Sequence, residues 1–233
     1  MYFSKGNFSD LNRGVKLVLY AALLILIAGV GTSIWITIAI SPEGKLTVDV
    51  AAFEVVRAIH VPVVAGILQV VSKLGSVPVM ATASFLIVIY FLFLSPFSRW
   101  LALYFALAMG GVSGLTKLAK TLTSRDRPEF LGGFEGVTSS YPSGHASGAV
   151  VFYGFMIYMI GAASIGSKWK WIVNTLLVLI ILGISFSRVY LGVHYFTDIV
   201  SGIFLGCLWL LICIIGVEAT LRRQTKKEKE EAA

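Results

Sequence analysis

Apolar residues fall into six runs long enough to cross a bilayer, and polar residues are concentrated between them. The runs cover residues 17–40, 77–94, 100–118, 144–164, 171–186 and 199–217. Apolar stretches of this length are typical of membrane-spanning helices. The pattern predicts an all-α integral membrane protein, built as a bundle of six transmembrane helices.

The stretch from residue 49 to residue 72 is apolar but interrupted. Glu54, Arg57, His60 and Pro62 lie within it, and the longest remaining apolar run, residues 61–71, is too short to span. We therefore expect a helical hairpin or a broken helix along the membrane interface after the first span.

Composition supports a membrane protein with a single domain. Of the 233 residues, 57% are hydrophobic and 13% are charged, and the mean hydropathy is +0.86, which excludes an ordinary soluble protein. The length leaves no room for a sizeable second domain, so we predict one domain over residues 1–221. Residues 222–233 alternate lysine and glutamate and are expected to form a disordered, charged cytoplasmic tail.

Basic residues in the short loops predict the orientation of the bundle. With six spans they fall on one side, which the positive-inside tendency assigns to the cytoplasm together with both termini. These residues are Lys5, Arg13, Lys16, Arg99, Lys168, Lys170, Arg222, Arg223, Lys226, Lys227 and Lys229. Residues 119–142 and 187–198 then lie outside, and the cations within them oppose the tendency. A bound anion would explain those cations, whereas the net charge of +7 implies no nucleic acid.

Two polar clusters lie just before and at the start of the fourth span. Lys120 and Arg127, which precedes Pro128, would bind phosphoryl oxygens or would contact lipid headgroups. The sequence Pro142-Ser143-Gly144-His145 opens the span, where unpaired N–H groups and the helix dipole favour phosphate. The alternative is an ordinary serine cap with an unrelated histidine.

A third cluster contains Arg188, His194 and Asp198. His194 and Asp198 are four residues apart and share a face if a helix begins near His194. A carboxylate on one imidazole nitrogen leaves the other nitrogen available as a nucleophile or base. Both residues are also metal ligands, but no convincing third and fourth ligand accompanies them and the cations would repel a divalent ion. We therefore predict neither a metal nor a cofactor.

Together the clusters resemble the three-part signature of the type 2 phosphatidic acid phosphatase (PAP2) superfamily. The matching parts are Lys120-x6-Arg127-Pro128, then Pro142-Ser143-Gly144-His145, then Ser187-Arg188-x5-His194-x3-Asp198, complete and in order. The six-span layout extends the resemblance over nearly the whole chain. Within the superfamily the chain is most similar to bacterial phosphatidylglycerophosphate phosphatase B-type enzymes.

The resemblance implies a role for each matched residue. His194 would attack phosphorus and form a phosphohistidine, Asp198 would orient His194, and His145 would act as general acid and then general base. The phosphate would be bound by Lys120, Arg127, Ser143, Gly144 and Arg188, where charge spreads over the equatorial oxygens.

The implied activity is hydrolysis of phosphatidylglycerophosphate at the outer face of a bacterial cytoplasmic membrane. Undecaprenyl pyrophosphate, phosphatidic acid and diacylglycerol pyrophosphate are alternative substrates. A lipid-phosphate binder or transporter is the non-enzymatic alternative, although binding alone needs neither histidine. The expected partners are the lipid substrate and membrane lipids.

Some residues outside the signature remain open. Lys117 either reaches the site or extends toward the interface, and Arg125 either contacts phosphate or pairs with Asp126. His60 is expected to be a surface histidine. Residues 129–141 form either a cover for the headgroup or a plain surface loop. The pairs of glycines at 110 and 114, 144 and 148, and 202 and 206 predict close helix packing.

Overall fold

The computed structural model describes residues 13–39, 46–95, 98–128 and 139–231, and these residues form eight α-helices and no strand. The helices are α1 (Arg13–Ala39), α2 (Thr47–Ala58), α3 (Pro62–Lys73), α4 (Val77–Ile89), α5 (Trp100–Thr123), α6 (Gly144–Ala162), α7 (Ser167–Tyr190) and α8 (Phe196–Glu231). A π-helical turn, Tyr90–Leu94, continues α4. The first ten residues of the loop 129–141 lie outside the described residues.

The described helices have the lengths and surfaces of a membrane bundle. Five stretches are long and apolar enough to cross a membrane: Pro62–Leu94, Trp100–Thr123, Gly144–Ala162, Ser167–Tyr190 and Phe196–Thr225. A shorter apolar helix, Leu26–Ile38, lies within α1. Large apolar side chains point outward, such as Ile38 at 80% exposure and Phe93 at 77%. The predicted all-α membrane bundle is confirmed, with α1 and these five stretches in the places of the six spans.

The interrupted segment after α1 forms two short helices, α2 and α3, as the broken-helix prediction required. Pro62 occupies the first turn of α3, where its missing N–H costs nothing and its ring disfavours helix in the residue before it. The Tyr190 hydroxyl holds the break, because it accepts the Val61 N–H at 2.8 Å and donates to the Ile59 carbonyl at 3.0 Å. The segment is thereby tied to the end of α7.

Successive long helices alternate in direction, so one end of the bundle collects the ends of α5 and α7 and the starts of α6 and α8. The Ser143 N–H, just before α6, donates to the Asp198 carbonyl of α8 at 3.0 Å. The Tyr141 hydroxyl donates to the Ser33 carbonyl of α1 at 2.7 Å, which brings the last turns of α1 to the same end. Segments far apart in sequence therefore meet at this end.

An aromatic core lies between α5, α6 and the π-helical turn. The Phe105 ring of α5 lies 5.2 Å from the Phe155 ring and 5.9 Å from the Phe152 ring of α6, and 6.4 Å from Phe91 in the π-helical turn, measured between centroids. Such edge-to-face pairs stabilise beyond the burial of their area. This core packs α5 against α6 in the half of the bundle that lies away from the shared helix ends.

The predicted close helix packing is found at the pair Gly202 and Gly206 and is not found at the pair Gly110 and Gly114. A Cβ at Gly202 would lie 2.6 Å from the Ser143 carbonyl oxygen, and one at Gly206 would lie 2.8 Å from the Ser147 carbonyl oxygen. These two glycines let α8 approach the backbone of α6. A Cβ at Gly110 or Gly114 would meet no described atom within 4 Å, so the packing prediction is wrong there.

The charged C-terminal stretch differs from the disordered tail that we expected, because α8 continues as helix through Glu231. Arginine, lysine, glutamate and glutamine have high helix propensity, and the preceding span supplies a nucleus from which the helix extends. The disorder that we expected from the charge density of this stretch is therefore not seen as far as Glu231. The single domain over residues 1–221 stays a prediction.

Candidate active site

Side chains from all three sequence clusters line one cavity at the shared helix ends. The cavity has a volume of about 550 Å³. Its polar end is lined by Lys120, Arg127, His145, Arg188 and His194. These residues come from the end of α5, the segment after it, the start of α6, the end of α7 and the turn before α8.

A tight turn between α7 and α8 places His194 beside Arg188. Gly192 adopts a φ of +67°, a left-handed conformation that glycine adopts without strain. The Arg188 carbonyl accepts the N–H groups of Val193 at 3.1 Å and His194 at 3.2 Å. These backbone hydrogen bonds fix His194, the candidate nucleophile, relative to Arg188, which is a candidate residue for binding phosphate.

His194 and Asp198 form the pair that their spacing predicts. The Nδ1 atom of His194 lies 3.3 Å from Oδ2 of Asp198, and this oxygen also accepts the Tyr195 N–H at 2.9 Å. Both side chains are buried. The carboxylate therefore faces Nδ1, which leaves Nε2 as the ring nitrogen available to the cavity.

The electrostatic surroundings keep His194 neutral. Burial lowers its pKa from 6.5 to about 4, against the opposing effect of Asp198, and the charges of Arg188 and Arg127 lower it further. An imidazole with this pKa is unprotonated at neutral pH and retains the lone pair that nucleophilic attack requires. Burial also lowers the pKa of Arg127, but a guanidinium remains charged in proteins.

Arg125 lies behind the candidate nucleophile and takes neither of the two roles that the sequence left open. Its Nη1 donates to Oδ1 of Asp198 at 2.6 Å, and its Nη2 donates to Oδ2 of Asp49 at 2.6 Å. The side chain is 1% exposed, and it is absent from the residues that line the cavity. Arg125 is therefore a partner of two buried carboxylates.

Asp49 is the residue of this site that sequence reasoning missed. It lies on α2 with no exposed surface, and its carboxylate oxygens accept the Thr197 N–H and hydroxyl, each at 2.9 Å. The sequence shows Asp49 only as one acidic residue at the start of an apolar segment. The same segment also carries the exposed charges Glu54 and Arg57. Only the packing of α2 against α8 distinguishes Asp49 from those neighbours.

The three cations at the polar end of the cavity are held by hydrogen bonds and still face the cavity. Lys120 donates to the Ser139 carbonyl, Arg127 donates to the Val193 carbonyl at 3.1 Å, and Nη1 of Arg188 donates to the Ser72 hydroxyl at 2.7 Å. The Nε of Arg188 is buried without a partner among the described residues. A buried donor without an acceptor costs about 1–3 kcal/mol, which a bound anion would offset.

At the start of α6, Ser143 takes a different part from Gly144 and His145. The Ser143 hydroxyl accepts the Ala146 N–H at 3.5 Å as a helix cap, and its side chain is fully buried. Gly144 and His145 line the cavity, at helix positions whose N–H groups have no partner within the helix. The geometry supports the serine-cap alternative for Ser143 and keeps Gly144 as a backbone donor.

Away from its polar end the cavity continues along apolar helix faces. Its walls there include Val77, Met80, Met109, Val112 and Gly148 from α4, α5 and α6. Lys117 also lines this cavity, as one of its two predicted alternatives required. The space therefore joins an anion-binding end to an apolar surface of the kind that lipid tails contact.

The donor atoms at the polar end suit an anion better than a metal ion. Among the described residues, no three histidine, cysteine, aspartate or glutamate side chains are grouped so that they could hold a metal. Asp198, the carboxylate that contacts His194 among the described residues, is already bound to Arg125 and to the Tyr195 N–H. Arg, Lys and backbone N–H groups are donors, which match the acceptor oxygens of phosphate.

The fold and this site define the class to which the protein belongs. The PAP2 superfamily profile matches residues 100–222, more than half of the chain. The chain therefore belongs to the PAP2 superfamily, and the predicted family resemblance is confirmed.

Two individual relatives are similar to parts of this chain in sequence. Phosphatidylglycerophosphatase B of Bacillus subtilis is 33% identical over 129 residues, which are 55% of this chain and 63% of that protein. The alignment thus spans less than two thirds of that relative. An undecaprenyl-diphosphatase of Sulfolobus acidocaldarius is 34% identical over 84 residues, 35% of this chain and 34% of that protein.

Solved structures show the same fold. The transmembrane PAP2-type phosphatidylglycerolphosphate phosphatase from Bacillus subtilis superimposes with a TM-score of 0.74 at 25% identity, covering 83% of this chain and 96% of that chain. Aquifex aeolicus LpxE gives a TM-score of 0.53 at 19% identity, covering 73% of this chain and 96% of that chain, and shows a likeness of fold alone.

Proposed function

We propose that this protein is a membrane lipid phosphate phosphatase that hydrolyses phosphatidylglycerophosphate to phosphatidylglycerol and phosphate. One observation carries the proposal: a single cavity presents two histidines and three cations at one end and apolar walls beyond them. Cations and helix N–H groups bind a phosphoryl group, a neutral histidine attacks it, and the apolar walls accommodate the adjoining lipid.

In the first step, Nε2 of His194 donates its lone pair to phosphorus while the phosphorus–oxygen bond to the lipid breaks. His145 transfers a proton to the departing alkoxide oxygen, and the lipid leaves as an alcohol. Asp198 accepts a hydrogen bond from the Nδ1–H group, which stays on the ring, and its charge stabilises the positive ring that results. Lys120, Arg127 and Arg188 neutralise the equatorial oxygens of the transition state.

In the second step, His145 takes a proton from a water molecule, whose oxygen bonds to phosphorus. The bond between phosphorus and Nε2 breaks, and its electron pair returns to the imidazole ring of His194. Inorganic phosphate leaves, and both histidines regain their starting protonation states. No metal or cofactor takes part in this scheme.

The apolar part of the cavity and the relatives support the proposed substrate, and the basic residues of the short loops support the proposed orientation. The relative named phosphatidylglycerophosphatase B favours phosphatidylglycerophosphate, and the one named undecaprenyl-diphosphatase keeps undecaprenyl pyrophosphate as the second candidate. Phosphatidic acid and diacylglycerol pyrophosphate present similar groups. We place the protein in the bacterial cytoplasmic membrane, with both termini cytoplasmic and the site at the extracytoplasmic face.

Phosphate release by the purified full-length protein tests this function. The substrates are phosphatidylglycerophosphate, undecaprenyl pyrophosphate, phosphatidic acid and glycerol 3-phosphate under identical detergent conditions. We expect the first to have the highest kcat/KM and glycerol 3-phosphate the lowest, because tails held in lipid help to position the headgroup. A strong preference for the pyrophosphate would reassign the enzyme to carrier lipid recycling, and equal efficiency on glycerol 3-phosphate would refute a role for the tails.

Two histidine variants test the mechanism and the non-enzymatic alternative. His194→Ala should abolish turnover in a folded protein, whereas His60→Ala, which changes a histidine outside the cavity, should retain it. With ³²P-labelled substrate carrying an activated leaving group, His145→Ala should accumulate an acid-labile, base-stable phosphoryl label that His194→Ala lacks. Full turnover by His194→Ala would overturn the phosphohistidine, and lipid binding without any phosphate release by the wild type would support a binder or transporter.

A further inference from the structure

Asp49 is buried deeply although it belongs to none of the three sequence clusters. Its side chain has no exposed surface, and Oδ2 accepts from Arg125 at 2.6 Å and from the Thr197 hydroxyl at 2.9 Å. A carboxylate removed from water needs such partners, because its desolvation is costly. Its neighbour Glu54 on α2 is 65% exposed, so burial is specific to this acid.

Arg125 connects Asp49 to the candidate nucleophile. Its Nη1 donates to Oδ1 of Asp198 at 2.6 Å and to the Thr197 hydroxyl at 2.8 Å. The centre of its guanidinium lies 4.0 Å above the ring of Tyr195. The planar fork and the stacked ring hold Arg125 in one orientation. Contacts therefore run without a gap from Asp49 through Arg125 and Asp198 to His194.

The charges along this chain of contacts decide what Asp198 can do. A guanidinium paired with Asp198 alone would cancel much of the field of that carboxylate at His194. Asp49 adds a second negative charge, so Asp49, Arg125 and Asp198 together retain one net negative charge. That charge stabilises the positive ring which forms when Nε2 of His194 bonds to phosphorus.

We propose that Asp49 is a positioning residue for the phosphoryl transfer, acting through Arg125 to hold the orientation and preserve the charge of Asp198. The inference rests on the proposed phosphatase function. It also gives the segment after the first span a part in the chemistry, because α2 carries Asp49 and α3 carries Ser72, the partner of Arg188.

A purely structural role for Asp49 is the rival explanation. Its Oδ1 accepts the Thr197 N–H in the first turn of α8, and a carboxylate at a helix N-terminus stabilises the helix by its charge. A structural cap affects stability whatever the charge of Arg125. A positioning role instead makes the rate depend on the balance of charge between Asp49 and Arg125.

A charge-compensating double variant separates these explanations. We would compare Asp49→Asn, Arg125→Gln and the double variant by phosphate release from phosphatidylglycerophosphate, with Glu54→Gln as the matched control on the same helix. Asp49→Asn should lower kcat about tenfold or more with KM little changed, because the cations that bind phosphate are intact. The double variant should recover part of that loss, since it restores one net negative charge beside His194, and Glu54→Gln should behave as wild type.

The pKa of His194 is a second measurement that separates the two explanations. If Asp49 were only a structural cap, its charge would not affect this pKa. With His60→Gln and His145→Gln in the background, the remaining imidazole can be titrated by ¹³C NMR. Asp49→Asn should lower the pKa of His194, and adding Arg125→Gln should raise it again. The other charged groups at this end stay the same in every variant: Lys120 from α5, Arg127 after it, and Arg188 from α7.

The outcomes are distinct from those of the proposed function. A wild type that releases no phosphate from any lipid refutes the function itself. If the wild type is active and Asp49→Asn has an unchanged kcat, the positioning role alone is overturned. A double variant with a lower kcat than both single variants overturns it as well. If Asp49→Asn does not fold, Asp49→Glu replaces it: this variant keeps the charge and moves the carboxylate, and a wild-type kcat there would overturn the proposal.

Discussion

The contact between α6 and α8 at Gly202 offers a direct test of how far catalysis depends on the spacing of these helices. In Gly202→Ala the new Cβ would lie 2.6 Å from the Ser143 carbonyl oxygen and 3.2 Å from the Cβ of Ala146. Contacts under 3.0 Å are essentially never seen for Cβ atoms, and the Ser143 carbonyl is held in place because it accepts the Ser147 N–H of α6 at 3.1 Å. The helices must therefore separate by about half an ångström.

That separation acts on the chemistry because the two helices carry different parts of the site. α6 carries His145, and α8 carries Asp198, which orients His194. A misplacement of about 1 Å can cost about 100-fold in rate, so half that displacement should lower kcat roughly tenfold. Overpacking should also destabilise the protein by about 1–3 kcal/mol.

The assay is phosphate release at saturating lipid substrate, with thermal unfolding in the same detergent. Gly161→Ala is the matched control, since it lies on α6 where an added Cβ meets no described atom within 4 Å. Gly161→Ala should keep wild-type kcat. A folded Gly202→Ala variant with wild-type kcat would refute the argument that the spacing of α6 and α8 sets the rate.

Three further predictions concern protonation, metals and topology. The ring of His194 should titrate near pH 4 in ¹³C NMR. Because the unfolded chain takes up this proton first, its contribution to the free energy of unfolding should be complete above about pH 6.5 and decline toward pH 4; a midpoint near 6.5 would contradict the buried, neutral imidazole. Activity should survive EDTA, and vanadate should inhibit by mimicking the five-coordinate transition state; rescue of an EDTA-inactivated enzyme by Mg²⁺ would contradict the assignment of Arg127 and Arg188. In intact cells an impermeant thiol reagent should label Gly133→Cys and leave Ser167→Cys unlabelled, and the opposite result would place the site on the cytoplasmic face.

The sequence by itself determined the spans and the residues that line the polar end of the cavity. Membrane-spanning helices are recognisable because the bilayer requires apolar runs of a minimum length, whatever the helices pack against. Lys120, Arg127, His145, Arg188 and His194 stood out because ionisable groups are rare beside such runs and usually functional. The four-residue spacing of His194 and Asp198 also predicted that the two would pair, although α8 begins only at Phe196 and His194 lies in the turn before it.

The tertiary structure decided which polar residues face the cavity and which support it from behind. The spacing of Arg125 and Arg127 along the chain cannot show that one turns toward Asp49 and Asp198 while the other lines the cavity. Ser143 likewise belongs to a phosphate-binding motif by sequence and is a helix cap by position. These distinctions depend on how α2 and α8 pack, which involves contacts between residues far apart in sequence.

The glycine pairs show the same division between local and long-range information. Gly110 and Gly114 have the spacing of Gly202 and Gly206, yet a Cβ on the first pair would meet no described atom within 4 Å, whereas a Cβ on the second pair would meet the backbone at the start of α6. Spacing permits a close approach, but only a neighbouring helix makes it happen. The sequence therefore determined what each segment is able to do, and the packing of α6 against α8 and of α2 against both α7 and α8 decided which of those possibilities the protein uses.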